Sequence, residues 1–408
     1  MTRITSVKVE GFKGIESLHV NTTRVNLVTG RNNTGKTSLL EAVLLAFDPA
    51  KLKDFSENLS TLINAKHDEA CITVETETGT RTLGLEKPDH TVARQMFIES
   101  LSEFTDSVSD RIRDNFDSEM FAPDELRSEV KERIIDQVTE AHVSEVQKNS
   151  LIAHFQGKAY FLLNSDNASR EVIKDAAYDI VQQFAKESGS KNSVDTERFD
   201  IGLLGFHMLD RTRFVRESPP RSESVSFIDT HDLTIRPEKE SDEADAVKTD
   251  DIEEFLIKNE IVDDLRSFNL DNVVFEADSG KKYSVPYEFM GDGFKAIIGI
   301  LWELLDDETT GEIVLLEEPG VHMHPGYVRE LLYFIIRIAR ENGTQILTTT
   351  HNHDFITDFF TENLTEGERV FLSEEFSLIQ MQQNAADVMT YEEAEESLKE
   401  LHLDLRGL

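Results

Sequence analysis

The sequence predicts an α/β fold in which a mixed or parallel sheet is flanked by helices. An apolar strand pattern ends at Gly30 and changes to helical spacing from Lys36. Further along the chain, residues 312–316, four of which are apolar, predict a buried strand before an amphipathic helix pattern at 327–340, and residues 345–349 predict a second buried strand after it. Strand, helix and strand in this order favour a parallel sheet, because parallel neighbours need a crossover connection.

The first 85 residues predict short strands and one helix. Apolar and polar side chains alternate in the strand segments, and Pro49 ends the helix that begins at Lys36. The predicted strands are residues 3–10, 15–20, 24–28, 72–76 and 80–85.

The chain is predicted to form one α/β domain in two lobes, residues 1–85 and 272–408, separated by an insertion at 86–271. The insertion is predicted to be mostly helical, because residues 90–200 are charged, nearly free of Gly and Pro, and helical in period. Its residues 217–250 predict a mobile, acidic loop.

Three smaller features complete this assignment. Residues 251–268 predict a helix, and residues 272–286 predict a hairpin. An apolar stripe in the insertion predicts another helix and comprises Val130, Ile134, Ile135 and Val138.

The chain of 408 residues carries 79 acidic and 42 basic residues, which gives a formal net charge of -37. We interpret this surface as that of a halophilic protein from a high-salt cytoplasm, and the alternative is an ordinary acidic protein. The charge argues against a broad nucleic-acid-binding face. Direct DNA contact stays open through one local cluster, formed by Arg211, Arg213, Arg216 and Arg221.

Other composition features favour an intracellular protein. Cys71 is the single cysteine, so no internal disulfide is possible. No apolar run approaches the ~20 residues that span a bilayer, and the N-terminal residues read as a strand pattern and not as a signal peptide. We expect a cytoplasmic protein with no membrane partner.

The segment from Gly30 to Thr37 matches the pattern GxxxxGK[ST] in full. The pattern lies between an apolar strand and a helix, which is the context that phosphate binding requires. Its glycines let backbone N–H groups surround phosphates, and the helix N-terminus attracts anions. Lys36 is predicted to reach the β- and γ-phosphates of ATP, and Thr37 to bind Mg²⁺. The predicted phosphate-binding residues are Gly30, Arg31, Asn32, Asn33, Thr34, Gly35, Lys36, Thr37 and Ser38.

An apolar strand that ends in Glu317 and Glu318 predicts the second half of the site. Glu317 is predicted to help hold Mg²⁺, and Glu318 to polarise the attacking water as a catalytic residue. Two acids at a strand end are a weak signal alone, but together with a full phosphate-binding pattern and with Pro319 directly after them they become a strong one.

A histidine, His351, ends the next apolar strand. Open parallel sheets place ligands at this edge, so His351 is predicted to contact the γ-phosphate, against the alternative of a solvated loop histidine. His322, His324 and His351 could also suggest a metal site, which no Cys or acid spacing supports.

These motifs resemble those of ABC-type ATPases in the group that contains the SMC, RecF and OLD (overcoming lysogenisation defect) proteins. The resemblance covers residues 1–85 and 272–408, and the middle of the chain carries none. Thr350-His351 is similar to the family's histidine switch, with Asn352 in place of Ser. The other similar segments are Gly11 to Gly14, Phe289 to Lys295, Glu317 to Pro325 and Tyr391 to Arg406.

The resemblance implies a P-loop NTPase fold and a homodimer that forms on ATP. In this family a signature segment caps the γ-phosphate held by the other subunit. The resemblance implies this role for Gly291 and Gly293, although the usual Ser is absent, and the alternative is an ordinary helix-capping turn. Full-length OLD proteins carry a Toprim nuclease domain, for which too few residues follow His351. We therefore expect a separate effector protein and no built-in nuclease. No glutamine of the family's Q-loop is identifiable.

Three functions stay open from the sequence. The first is an ATP-hydrolysing switch that serves a nucleic-acid or anti-phage defence process through a separate effector. The second is a DNA-repair or chromosome-maintenance ATPase that contacts DNA itself. The third is a slow ATP-sensing interaction protein.

Overall fold

The computed structural model describes residues 2–55, 59–100, 140–164, 212–221, 224–229, 243–258, 264–277, 279–304, 313–321, 323–361, 363–383 and 385–407, with a few isolated positions between them. Two compact units divide the chain. The first comprises Met1–Asp48, Ile72–Thr82 and Arg221–Leu408, and the second comprises Pro49–Cys71 and Leu83–Pro220. The division into lobes at 85 and 271 stays a prediction.

The strands of the described residues are numbered in chain order. They are β1 (Ile4–Phe12), β2 (Ile15–Asn21), β3 (Val25–Gly30), β4 (Glu69–Thr76), β5 (Gly79–Glu86), β6 (Ser150–Phe155), β7 (Lys158–Leu163), β8 (Arg213–Phe214), β9 (Val225–Asp229), β10 (Leu265–Phe268), β11 (Asn272–Glu276), β12 (Lys282–Pro286), β13 (Ile313–Glu317), β14 (Gln345–Thr349), β15 (Phe376–Gln382) and β16 (Ala385–Met389).

The helices of the same residues are α1 (Lys36–Phe47), α2 (His90–Ser100), α3 (Glu140–Lys148), α4 (Glu243–Lys258), α5 (Asp292–Leu304), α6 (Pro325–Glu341), α7 (His353–Asp358), α8 (Glu366–Glu375) and α9 (Tyr391–Lys399). Short 3₁₀ turns lie at Pro49–Asp54, Leu59–Leu62 and Tyr287–Phe289.

In the described part of the first unit, six strands form a central sheet in the order β16-β15-β3-β14-β13-β9. All neighbours in it are parallel except β15 and β16, which are antiparallel. Strands β3, β13 and β14 are buried along their whole length, as expected of parallel strands covered by helices. The predicted α/β fold class is therefore confirmed.

The core of the first unit lies between this sheet and its helices. Helix α6 presents an apolar face through Leu331, Leu332 and Ile335, each fully buried. An aromatic cluster closes the β15 side of the sheet, where Phe376 packs against Phe360 and Tyr391. Phe376 is the first residue of β15, so this packing lies at the amino end of that strand.

The first unit also contains the hairpin formed by β1 and β2. Strands β1 and β2 pair antiparallel, with Val7 opposite Val20. The buried side chain of Gln345 joins β1 to the central sheet, because it accepts from Ile4 N at 2.7 Å and donates to Ile4 O at 2.8 Å. Gln345 is the first residue of β14, so this contact lies at the amino end of the strand.

In the second unit, the structure corrects part of the helical prediction. Residues 150–163, predicted to be helical, form the hairpin β6–β7, and the end of β5 pairs with β6. The turn residues Gln156 and Gly157 both have positive φ, as a two-residue hairpin turn requires. Apolar packing on both strands outweighs the helical period of the surrounding sequence. The stripe at Val130, Ile134, Ile135 and Val138 lies outside the described residues.

Two predictions around residue 250 were also wrong. The predicted loop 217–250 contains β9 and the beginning of α4, and the predicted helix 251–268 ends at Lys258. Residues 265–268 instead form β10, which pairs with β11. The acidic composition hid these elements, since α4 buries only a narrow face that includes Ile252 and Leu256.

The resemblance of residues 391–406 to the family's closing helix implied a helix over this whole range, and the structure has a shorter one. Helix α9 ends at Lys399, and residues 404–407 form a turn. No helix in the described ranges is both long and apolar enough to cross a membrane.

Candidate nucleotide-binding site

The phosphate loop, residues 30–38, is shaped by two glycines. Gly30 has φ 144 and Gly35 has φ 95, which L side chains rarely adopt. A Cβ on Gly30 would lie 2.6 Å from the Met381 carbonyl oxygen, and a Cβ on Gly35 would lie 2.9 Å from Ile15 Cγ1. Both positions therefore require glycine for space as well as for backbone conformation.

The loop leads straight into α1 without a side-chain cap. Gly35 is the N-cap residue, no side chain caps the N-terminus of α1, and the first turn of this helix contains no acidic residue. Thr34 closes the loop by donating from Oγ1 to Arg31 O at 2.8 Å, while the side chains of Asn32 and Asn33 are exposed. The uncapped N-terminus of a twelve-residue helix is a favourable position for an anion.

Lys36 folds back over the phosphate loop. Its Nζ donates to Gly30 O at 3.1 Å and to Arg31 O at 3.2 Å, and the residue is only 8% exposed. Burial lowers the pKa of Lys36, while the charges of Glu318 and Glu317 raise it. The ammonium group is thus held by carbonyl oxygens that phosphate oxygens can replace.

Thr37 and Glu317 meet as the sequence predicts. The Thr37 hydroxyl donates to Glu317 Oε1, and Glu317 is buried at the end of β13. A hydroxyl and a carboxylate are hard oxygen donors of the kind that Mg²⁺ takes, together with waters and the phosphates of a substrate. These residues fit the predicted Mg²⁺ site.

Glu318 is oriented by unusual backbone geometry. Its φ is 47, in the left-handed region, and its N–H donates to Thr349 O at 3.1 Å and to Thr349 Oγ1 at 3.2 Å. These bonds turn the chain sharply after β13. A non-glycine residue held in this conformation costs free energy and is frequent at functional sites.

The side chain of Glu318 contacts His351. Its Oε2 lies 2.8 Å from His351 Nδ1 and also accepts from His351 N at 3.1 Å. The Glu318 side chain is 11% exposed and that of His351 is 57% exposed. The structure therefore brings the two predicted catalytic residues together, with the imidazole on the solvent side.

The position of His351 follows from strand pairing. In the parallel pair β13–β14, Glu317 lies opposite Thr349, and Thr350 N donates to Val28 O on the other side. Asn352 then caps α7, since its side chain accepts from Asp354 N and Phe355 N. The Asn that departs from the family pattern thus has a structural role.

Asp229 is an acidic residue at this edge that the sequence analysis missed. It ends β9, and it lies opposite Glu317 in the parallel pair β13–β9. Burial raises the pKa of Glu41 on α1, and the charge of Asp229 raises it further. The ion pair of Glu41 with Lys13, at 2.5 Å, lowers this pKa. No sequence signal points to Asp229, because only the pairing of β9 with β13 places it beside Glu317.

The signature-like segment, residues 289–295, is separate from these contacts. Phe289 is 72% exposed, a Cβ on Gly291 would meet open space, and Gly293 lies in the first turn of α5. In the part of the chain that the structure describes, no hydrogen bond joins Gly291 or Gly293 to the phosphate loop. Their role in binding nucleotide stays a prediction.

The turn at residues 404–407 contacts the phosphate loop. Thr29 Oγ1 donates to Leu405 O at 2.7 Å, and Arg31 Nε donates to Gly407 O at 3.1 Å. The guanidinium of Arg31 is therefore engaged at the loop's outer face, and any contribution of Arg31 to phosphate binding through its backbone stays a prediction.

The alternative metal site gains no support. His322 lies outside the described residues, and His324 caps α6 by accepting from Gly326 N at 3.2 Å. Within the described ranges, no group of three or more His, Cys, Asp or Glu side chains is arranged to hold a metal ion.

Comparison with solved structures finds heads of SMC proteins. The SMC head domain from Thermotoga maritima matches at 11% identity over 95% of this chain and 98% of that one, with a TM-score of 0.41. A second match is the Smc head domain with an extended coiled coil bound to the C-terminal domain of ScpA, from Pyrococcus furiosus. Its identity is 12% over 99% of this chain and 100% of that one, with a TM-score of 0.43. A search of curated proteins finds no match.

The phosphate loop, the acidic strand end and His351, at the carboxyl ends of parallel strands in one sheet, define the class as an ABC-type ATPase of the SMC/RecF/OLD-like group. Residues 25–358 match the family model described as "AAA domain, putative AbiEii toxin, Type IV TA system". The chain belongs to this family.

Proposed function

We propose that this chain binds ATP with Mg²⁺ and hydrolyses it, and that ATP acts as a switch for homodimer formation. The observation that carries the proposal is the convergence of the Thr37–Glu317 and Glu318–His351 contacts beside an uncapped phosphate loop. Each contact joins residues that are far apart in sequence, so a chance motif does not explain them.

ATP binding uses the phosphate loop as it stands. The backbone N–H groups of residues 31–38 and the N-terminus of α1 attract the phosphates. Lys36 exchanges the carbonyls of Gly30 and Arg31 for β- and γ-phosphate oxygens. Thr37 and Glu317 hold Mg²⁺, which when bound neutralises phosphate charge.

Hydrolysis uses the pair Glu318–His351. The Glu318 carboxylate accepts from the attacking water, and its fixed backbone holds it in position for that role. His351 orients Glu318 through Nδ1, which leaves its other ring nitrogen free to face the γ-phosphate. In other catalytic pairs, too, one side chain orients the other for reaction.

The dimer uses the signature-like segment. Phe289, Gly291 and Gly293 lie at a helix N-terminus that presents an exposed aromatic ring and open backbone. A second copy of the chain, with ATP bound, is the partner whose γ-phosphate this segment would cap. Two nucleotides then lie at one interface.

The output of the switch is a nucleic-acid or anti-phage defence process run by a separate effector protein, in a high-salt cytoplasm. Direct DNA contact is the weaker candidate. Arg211 lies outside the described residues. Arg213 donates to Ser100 O at 2.6 Å. Arg216 donates to the Glu99 carboxylate from two nitrogens, each at 2.8 Å. Arg213 and Arg216 are therefore engaged within the chain.

The test is Glu318→Gln, compared with wild type and with the exposed control Glu374→Gln. Because Gln cannot take a proton from water, turnover should fall about 10²- to 10⁴-fold while ATP affinity is kept. Light scattering in high salt should show a dimer of the Glu318→Gln chain with ATP–Mg²⁺ and a monomer without nucleotide.

Two outcomes would count against the proposal. Wild-type turnover in Glu318→Gln, or in Lys36→Ala, would refute the assigned catalytic and binding roles. An unchanged mass on addition of ATP would remove the dimer and favour a slow ATP-sensing interaction protein.

A further inference from the structure

A cavity of about 230 Å³ lies beside helix α6 in the first unit. One face of α6 forms much of its wall, because residues three and four apart lie on the same side of a helix. Phe255 of α4 and Asn363, which precedes α8, contribute to the rest of the wall. The residues that α6 contributes are Glu330, Tyr333, Phe334 and Arg337.

This cavity is separate from the nucleotide site. Helix α6 connects the parallel strands β13 and β14, so it runs from the carboxyl ends of the strands back to their amino ends. Arg337 lies one turn before α6 ends at Glu341, and it is therefore near the amino ends. A ligand in this cavity would have a site of its own, away from the phosphates of ATP.

Arg337 supplies a cationic group to the cavity. Its guanidinium lies 5.4 Å from the ring centroids of both Phe255 and Phe334, and the residue is partly buried. Among the described residues, Arg337 pairs with no carboxylate and donates no hydrogen bond. The planar donor fork of an arginine matches a carboxylate. The two rings hold this fork in place, so it is suited to bind an anionic group.

Tyr333 supplies a second donor. Its hydroxyl is buried, and in the part of the chain that the structure describes it has no hydrogen-bond partner. Buried polar groups without a partner destabilise a protein and are rare in folded chains. Because Tyr333 lines the cavity, a ligand oxygen there can accept from this hydroxyl. The missing partner is thus an observation, independent of Arg337, that points to a ligand.

Glu330 supplies the opposite charge on the same face of α6. It precedes Arg337 by seven residues, which is about 10.5 Å along a helix. Burial raises the pKa of Glu330, while the charge of Arg329 lowers it, so a cationic group in the cavity would stabilise its charged form. The other acid of the wall, Glu368, is engaged, since its carboxylate accepts from Thr365 N and Oγ1, each at 2.8 Å.

We propose that this cavity binds an elongated small molecule with a carboxylate at the Arg337 end, an ammonium group at the Glu330 end and an apolar body between them. The rings of Phe255 and Phe334 contact the apolar body. A cavity of about 150 Å³ accommodates benzene, so this larger one accommodates a ring with two substituents. Glu330 disfavours phosphate and other dianions by repulsion. The inference goes beyond ATP hydrolysis and does not depend on it.

The experiment titrates para-aminomethylbenzoate into the full chain without nucleotide and follows the ligand by NMR. Two analogues each lack one charge: para-methylbenzoate has no ammonium group, and benzylamine has no carboxylate. Wild type should bind the zwitterion at least about tenfold more tightly than either analogue, because each charged group makes its own hydrogen bonds. No binding of the zwitterion at millimolar concentration, equal affinity for an analogue, or tighter binding of inorganic phosphate would overturn the inference.

Three variants locate the binding. Tyr333→Phe should weaken the zwitterion about fivefold without lowering the temperature of thermal unfolding, since the hydroxyl has no partner to lose. Arg337→Gln should bind the zwitterion no better than benzylamine, and Glu330→Gln no better than para-methylbenzoate.

The matched controls are Arg340→Gln and Glu374→Gln, which remove exposed charges from α6 and α8 and should bind as wild type does. Circular dichroism shows which variants keep the fold. Tyr333→Phe and Glu330→Gln change few atoms, so they test the site even if Arg337→Gln unfolds. Wild-type affinity for the zwitterion in folded Tyr333→Phe and Glu330→Gln chains would place the binding elsewhere and overturn the inference.

Discussion

Two glycine-containing turns of this protein each open a helix, yet they differ in how they are held. The phosphate loop is packed from several sides, since Gly30 and Gly35 leave no room for a Cβ and Lys36 is bonded to two loop carbonyls. The signature-like segment has open space at Gly291 and an exposed Phe289. The phosphate loop is shaped by packing within the chain, whereas the signature-like segment has an exposed surface suited to contact with another molecule.

The largest expected effect comes from Gly30→Ala in the phosphate loop. The new Cβ would collide with the Met381 carbonyl, and alanine disfavours the φ of 144. We expect ATP binding to weaken by about 100-fold or more, which is about 2.7 kcal/mol, as measured by titration with a fluorescent analogue.

Gly14→Ala is the matched control, because a Cβ at Gly14 meets nothing within 4 Å. It should bind ATP as wild type does. Circular dichroism of both variants would show whether the fold is kept. Full ATP affinity in a folded Gly30→Ala chain would contradict the view that packing shapes the loop.

A smaller effect is expected from Phe289→Ser in the signature-like segment. The ring is 72% exposed, so its loss should leave ATP binding by the monomer and the free energy of unfolding almost unchanged. In the Glu318→Gln background, loss of an aromatic anchor should weaken the ATP-dependent dimer by about tenfold or more, measured by light scattering over a range of protein concentrations.

Val370→Ser removes another exposed apolar side chain, from α8 and away from the segment, and serves as the control. If both variants dimerise alike, or if Phe289→Ser weakens nucleotide binding by the monomer, the two turns would not differ as described.

The smallest effect should follow Arg31→Ala. Its hydrogen bond from Nε to Gly407 O is exposed, and a bond of this kind contributes about 1 kcal/mol. We expect ATP affinity to fall about fivefold at most, as measured by the same titration. A loss as large as that of Gly30→Ala would contradict this prediction and show that the turn at residues 404–407 shapes the loop as much as Gly30 does.

Much of the site could be predicted because its residues sit at the ends of strongly patterned elements. The strand before Gly30, the helix from Lys36 and the strand before Glu317 all have the predicted type. The apolar runs are long enough to show burial, and the loop pattern is specific in its spacing.

Other elements could not be predicted because tertiary contacts outweigh their local pattern. Strand β9 is short and lies in an acidic stretch, and its pairing with β13 over five residues stabilises it. The hairpin β6–β7 lies in a region of helical period and depends on pairing between its own strands. Helix α4 begins inside a segment whose charge suggested a loop.

The sequence by itself determined the α/β class, the phosphate loop and the acidic strand end, since these depend on local backbone preference and on the spacing of a few residues. The tertiary structure alone decided which side chains meet. It set Glu318 against His351 at 2.8 Å, and it placed Asp229 beside Glu317. Strand order and register come from the packing of the whole sheet, and so no local stretch of sequence encodes them.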